Sequence, residues 1–441
     1  MSLTPPAGQS KRFLSLFPFQ RRAPSSPSAR REILLMSIRI PDAYRNPTVR
    51  TTMLAIFAFG FSGAATAPYS SIVGIHELGL SDRAYSMLLA AAAAVNVVIS
   101  ILVGNIADRL GDYRRMMVFV ALFGIAGYGA IYLLPAQSTF VFSGLLLLPA
   151  YGALNSLLFA NARAATNRMK REDVASVNSG VRAMISLSWV LVPGITGALL
   201  AGSPSMLPAY LFSTLAAVAC LGLIVVFLPK VAPGDALVIN HLSYWAALAH
   251  VATPRILVRV LGVSLVTSML HVNGAVLSLI VTGPVGGNVA DVGILIGIVA
   301  LLEVIFIVAL APLIRRIGAM ATLAVGTMLY VTYLGLLGLS TAVWQVYALS
   351  LISGAGAAAL ISIPITYLQD LIADRPGLGS ALISVNMFLG AGLGALIFGL
   401  GTAVSGYSGT AILSALAGGG GIALLLALDG LKSRHAEPQP S

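Results

Sequence analysis

The sequence predicts an all-α membrane protein with twelve transmembrane helices in two six-helix halves. Three observations predict it. Hydrophobic residues make up 58% of the 441 and charged residues 9%, against roughly 45–50% and about 25% in soluble domains. So few charges cannot solvate the surface of a soluble fold of this length. Long apolar runs recur along the chain, each near the roughly 20 residues that a helical span needs. Lys and Arg alternate strictly between connections: nine precede the first run, then three, four, three, two, one and two occupy every other segment. The intervening segments hold only Arg83, and Arg182 lies inside a run. This is the positive-inside pattern, which places both termini in the cytoplasm and makes the span count even. It also accounts for the net charge of +11 without a nucleic-acid partner. The 45 glycines suit close helix packing. The one cysteine, Cys220, excludes an intrachain disulfide.

Residues 1–45 carry Ser, Pro and basic residues with no apolar core for a signal peptide. They read either as a disordered basic cytoplasmic tail or as sequence upstream of a true start at Met36. The N-terminal half occupies 46–228. Its spans are Thr52–Ile75, broken midway by Pro68, then Tyr85–Ile106, Met116–Leu134, Thr139–Asn161 with Pro149 inside it, Asn178–Ala201 and Met206–Leu228. A basic loop with Arg163, Arg168, Lys170 and Arg171 separates the fourth and fifth. Residues 229–255 form a cytoplasmic linker with Pro233–Gly234 and Pro254 as breakers and His241–His250 as a candidate interfacial helix. The C-terminal half, 256–428, repeats the layout with spans Ile256–Val281, Asp291–Ile314, Gly318–Ser340, Val343–Tyr367, Leu378–Thr402 and Gly409–Leu428. Residues 429–441 are a cytoplasmic tail. Arg316 and Gly318 fall 207 positions after Arg109 and Gly111, with Arg315 in the place of Asp108. Duplicated halves of this kind mark transporters that bind substrate at the midplane between them.

Polar residues inside spans carry the functional reading, since an ionisable group in hydrocarbon is costly unless it faces a cavity or a partner. Glu303, mid-span between Leu302 and Val304, is the deepest acid. It reads either as a functional, proton-coupling group or as a neutral structural acid hydrogen-bonded to a neighbouring helix, and His271 as a second coupling group or simply a packed histidine. Arg182 either lines a cavity or extends its long stem to the headgroups. Asn155, Asn273 and Asn386 either bind substrate or join helices by hydrogen bonds. Trp189 offers an aromatic face for the apolar face of a sugar ring, or is bulky filler. Tyr367, Gln369 and Asp370 end the tenth span, with Asp370 expected in the following loop and paired with an arginine. Gly104, Asp108, Arg109 and Gly111 read as a conformational gate: the glycines leave room for close backbone approach, Asp108 can accept from a helix N-terminus, and Arg109 anchors the turn at the cytoplasmic face.

The loop GNIADRLGDYRR, 104–115, resembles the major facilitator superfamily, whose helix 2–3 loop carries G-x-x-x-D-R-x-G and then basic residues. Within it the chain resembles the bacterial sugar efflux transporters. Arg182, Ala183, Ser186, Leu187, Trp189 and Val190 meet that family's helix 5 pattern, with Pro193 after it. Leu302–Glu303 meet its helix 8 pair. Tyr367, Gln369, Asp370 and Leu371 meet the end of its helix 10, followed by Pro376, Gly377, Gly379, Ser380 and Ala381. An antiporter-type helix 5 pattern is met only in part, by Val192, Pro193, Gly194 and Gly197, and span 4 lacks the early arginine of many proton-coupled drug exporters.

The resemblance implies a secondary active transporter exporting sugars or sugar-like molecules by alternating access, proton-coupled, in the bacterial inner membrane. The alternative is a multidrug/proton antiporter of the same fold. Arg182, Trp189, Asn155, Asn273 and Asn386 would line the cavity. The expected partners are a small sugar, protons and the bilayer, with no nucleic acid and a monomeric state. No cofactor or metal is called for: there is no Walker loop for ATP and no clustered His, Asp or nucleophile set for an enzyme.

Overall fold

The computed structural model describes residues 44, 46–110, 112–166, 169, 171–228, 253–371 and 376–430, with side chains for all but 108, 171–172 and 376–381. The linker's Pro233–Gly234 breaker and interfacial helix, the tails beyond those limits, Gly111, Arg168 and Lys170 lie outside them, whereas Pro254 is described and opens a helix rather than breaking one.

Among the described residues, eleven helices are long and apolar enough to cross a membrane. In chain order they are α1 Pro47–Thr66, α2 Asp82–Leu110, α3 Tyr113–Leu133, α4 Gln137–Ala165, α5 Arg171–Leu200, α6 Pro208–Phe227, α7 Pro254–Thr282, α8 Val289–Ile317, α9 Ala319–Gly338 and α10 Val343–Asp370. The last, Pro376–Asp429, is 54 residues long, about 80 Å at 1.5 Å per residue and far beyond one crossing. It breaks at Gly406, whose φ of 65° only glycine adopts readily. A Cβ on Gly401 would touch Thr410, nine positions on, which a straight helix holds about 13 Å away. The chain therefore turns back on itself, giving α11 (376–405) and α12 (407–429). The twelve spans form two six-helix halves.

Several helices overrun the apolar runs that predict them. The expected turn from Gly104 is helical through Leu110, because helical hydrogen bonding continues where the bilayer gives way to headgroups. Among the described residues nothing lies within 4 Å of a Cβ built on Gly104, and none makes the close approach expected there. Pro68 breaks the first span near its end rather than midway. A 3-10 turn, Ala67–Tyr69, leads into a π-helical segment, Ile72–Glu77. In α4 a π-helical stretch, Ser143–Leu147, precedes Pro149, where proline removes a helical donor. Asp370, expected in a loop, is the last residue of α10 and is exposed, with no ion pair among the described residues.

The halves meet through α5 against α8 and α2 against α11. Their cross-half bonds gather at the end away from the basic connections. Ser86 Oγ donates to the Ala395 carbonyl at 2.7 Å, Tyr407 Oη donates to Asp82 Oδ1 at 3.1 Å, and the Tyr85 and Phe398 rings sit 5.8 Å apart. Small residues let α5 and α8 cross closely there. A Cβ on Gly293 would collide with the Pro193 carbonyl, and one on Gly197 would lie 2.8 Å from the Val289 carbonyl. Gly293→Ala is therefore expected to lower stability by about 1–3 kcal/mol, the usual cost of overpacking. Thermal unfolding in detergent checks this, with Gly194→Ala as the control, since its Cβ would meet nothing nearer than 3.8 Å. Equal melting of the two variants would show that the crossing is loose.

Candidate functional site

A half-open cavity of about 460 Å³ lies between the halves. Helical periodicity brings its walls together. On α8, Ile296, Val299, Ala300 and Glu303 share one face at intervals of three, four and seven. On α7 the same intervals align Leu270, Asn273, Gly274 and Leu277. Ser186 and Trp189 enter from α5, Ala67 and Pro68 from the break after α1, and Tyr330 and Tyr333 from α9. Trp189 packs, as Phe61 does, on the buried set Ala64, Ala65 and Val192, which sets its ring against α1.

The polar groups of this cavity are few. Tyr333 Oη donates to Asn273 Oδ1 at 2.9 Å, orienting the amide. The Tyr330 and Tyr333 rings lie 5.3 Å apart, inclined at 57°. Among the described residues no hydrogen bond or ion pair reaches Glu303. A carboxyl without a partner in an apolar chamber within the membrane is chemically available to a proton, a cation or a hydroxyl-bearing ligand.

Of the residues singled out by sequence, Trp189, Asn273 and Glu303 line the cavity together. Arg182 is exposed and stands seven and four positions before Trp189 and Ser186. It shares their helix face, about 6 Å from Ser186 and about 10 Å from Trp189 toward the basic end. His271 is exposed beside α11, 3.7 Å from the Cβ position of Gly390. Asn155 is in α4, away from the cavity wall, with its Oδ1 buried and unpartnered. Asn386 is buried at 6% exposure and accepts from Ser264 Oγ at 2.9 Å, a bond between α11 and α7.

In the helix 2–3 connection Arg109 is exposed, Gly111 is undescribed and the Asp108 side chain is undescribed. It is Asp112 that caps α3, accepting from the Arg115 backbone N–H at 3.0 Å and pairing with the Arg115 guanidinium at 3.0 Å. Arg114 donates to the Ile224 and Val225 carbonyls at 3.2 and 2.6 Å, so a cation completes the C-terminus of α6. These arginines do more than sit at a membrane surface.

Sequence reasoning missed Tyr330 and Tyr333, whose only signal is a polar-tipped pair three apart inside an apolar run. It also missed a triad across α7, α10 and α12. Arg259 donates to Asp429 at 2.9 and 2.6 Å, and Tyr367 Oη donates to the other carboxylate oxygen at 2.5 Å.

Residues 13–169 and 52–283 match the profile of the Major Facilitator Superfamily. The chain belongs to this superfamily. It is thus a multi-pass membrane protein of a transporter family. Among its relatives, a Deinococcus radiodurans protein named as a candidate sugar efflux transporter is 25% identical over 363 residues, 82% of this chain and 93% of that one. Sugar efflux transporter C of Escherichia coli K12 is 29% identical over 192 residues, spanning 43% of this superfamily member and 48% of the relative. Among solved structures, nucleoside transporter NupG superposes with a TM-score of 0.72 at 11% identity, covering 88% of this chain and 99% of its own. A POT peptide transporter with bound sulfate gives 0.70 at 13% identity, covering 86% and 93%. At those identities the two structures speak for the fold alone.

Proposed function

We propose that this superfamily member exports sugars or sugar-like small molecules across the bacterial inner membrane, with both termini in the cytoplasm. The two halves rock about the central cavity so that it opens first at one end and then at the other. A proton taken up at Glu303 from the periplasmic side drives the return. The observation that carries the reading is Glu303 itself, an unpartnered carboxyl on the wall of a chamber between two halves. The sugar efflux transporters among the relatives support the substrate class. The cross-half bonds at the end away from the basic connections fit a state open toward the cytoplasm. Trp189 would stack on a sugar ring while Asn273 and the two tyrosines bond its hydroxyls.

A cavity wall of aliphatic and aromatic residues around one acid also suits a lipophilic cation. Purified protein in liposomes with an imposed pH gradient distinguishes the two. Labelled sugar should move against its gradient and be blocked by other sugars. Block by lipophilic cations with no response to sugars would turn the reading to multidrug antiport. Sugar flux indifferent to the pH gradient would remove proton coupling.

A further inference from the structure

We propose that Ser71 and Ser278 form a latch at the cavity floor that a polyhydroxylated substrate replaces, and that this latch selects such substrates. The inference deepens the export reading and rests on it. The two hydroxyls are 2.9 Å apart and bridge the first half to the second. Their positions differ by 207, the same spacing that separates Arg109 from Arg316 and Gly111 from Gly318. They are therefore corresponding residues of the two halves, meeting where the axis that relates the halves passes.

Their surroundings set them apart from the other cross-half bonds. Ser71 and Ser278 are 0% and 1% exposed, among Ile72, Val73, Leu277 and Leu279, all buried. Ser278 nevertheless belongs to the cavity wall, so the pair lies directly under the bound substrate. The Tyr407–Asp82 bond lies further out and is only part-buried, where water can take over when the halves part. At the serine pair, enclosed by buried aliphatic side chains, no such replacement is at hand when opening begins. Parting the halves must first break the bond while both hydroxyls are still shut away from water, a penalty of about tenfold in the opening rate. A hydroxyl both donates and accepts, so a sugar seated on the floor can bond each serine as they separate. A ligand without hydroxyls cannot. Substrate identity and opening of the far end are then one event.

The test uses Ala67→Cys, on the exposed cavity wall, labelled by an impermeant thiol reagent applied at the periplasmic face. The native Cys220 is 0% exposed and stays silent. With Ser71 and Ser278 intact, sugar should raise the labelling rate about tenfold, and a sugar analogue stripped of hydroxyls should not. With Ser71→Ala and Ser278→Ala together, labelling should be high without sugar and nearly unchanged by it. Should that double variant fail to insert, Ser278→Ala alone must also lose the discrimination between sugar and analogue. A variant that responds to sugar as the intact pair does overturns the latch while leaving export standing. A wild-type protein that moves no sugar overturns both.

Discussion

Liposomes carrying Glu303→Gln should build no sugar gradient under an imposed pH difference, while still exchanging labelled for unlabelled sugar across the membrane. The wild type should sustain up to about tenfold accumulation for each proton coupled, per pH unit of driving force. Glutamine has the size of a protonated glutamate, so the face that Ile296, Val299 and Ala300 share with residue 303 keeps its packing. What it cannot do is release a proton. In an antiporter, a permanently neutral group severs the drive and leaves the rocking motion intact, so exchange persists where accumulation does not. Loss of exchange as well would mean that the side chain holds the substrate or the fold. Full accumulation by the variant would remove Glu303 from the coupling mechanism. The comparison needs only flux and exchange on the same preparation, with insertion checked by reconstitution yield.

The same residue shows how far a sequence of this kind can be read. The twelve spans and their grouping follow from two one-dimensional signals, apolar run length and the alternation of Lys and Arg, neither of which depends on how a helix is rotated. Glu303 stands out because a charge in hydrocarbon needs a reason whichever way it points. Rotation decides everything else. Asn273 and Asn386 look alike in sequence, but one bonds Tyr333 on the cavity wall and the other is buried against Ser264 between α7 and α11. Both amides satisfy the same rule, that a polar group within the membrane finds a partner, so the sequence cannot tell them apart. The Ser71–Ser278 pair shows the opposite case. The 207-residue spacing was legible in the basic loops, but a serine pair at that spacing acquires meaning only once the halves are seen to touch there.

Replacing Asp429 with asparagine should cost about 2–3 kcal/mol of stability, somewhat below the 3–5 kcal/mol for breaking a fully buried ion pair. The discount follows from exposure: the Arg259 side chain is 10% exposed and that of Asp429 25%, so water recovers part of the loss. Asp429 is the shared acceptor for Arg259 of α7 and Tyr367 of α10. Its charge therefore ties three helices together at the basic end, across 170 positions of sequence in one case and 62 in the other. Asparagine keeps one acceptor oxygen but leaves the guanidinium without a counter-charge in a place where it cannot turn fully to solvent. The terminal turn of α12 should then fray from α7, and thermal unfolding in detergent should fall by several degrees. Arg259→Met combined with Asp429→Leu discriminates the cause. If the penalty arises from an orphaned charge, removing both charges should restore most of the lost stability, since apolar replacements of buried pairs are often neutral. A double variant as unstable as Asp429→Asn would instead assign the role to the hydrogen-bond geometry itself, with Tyr367 as its third member.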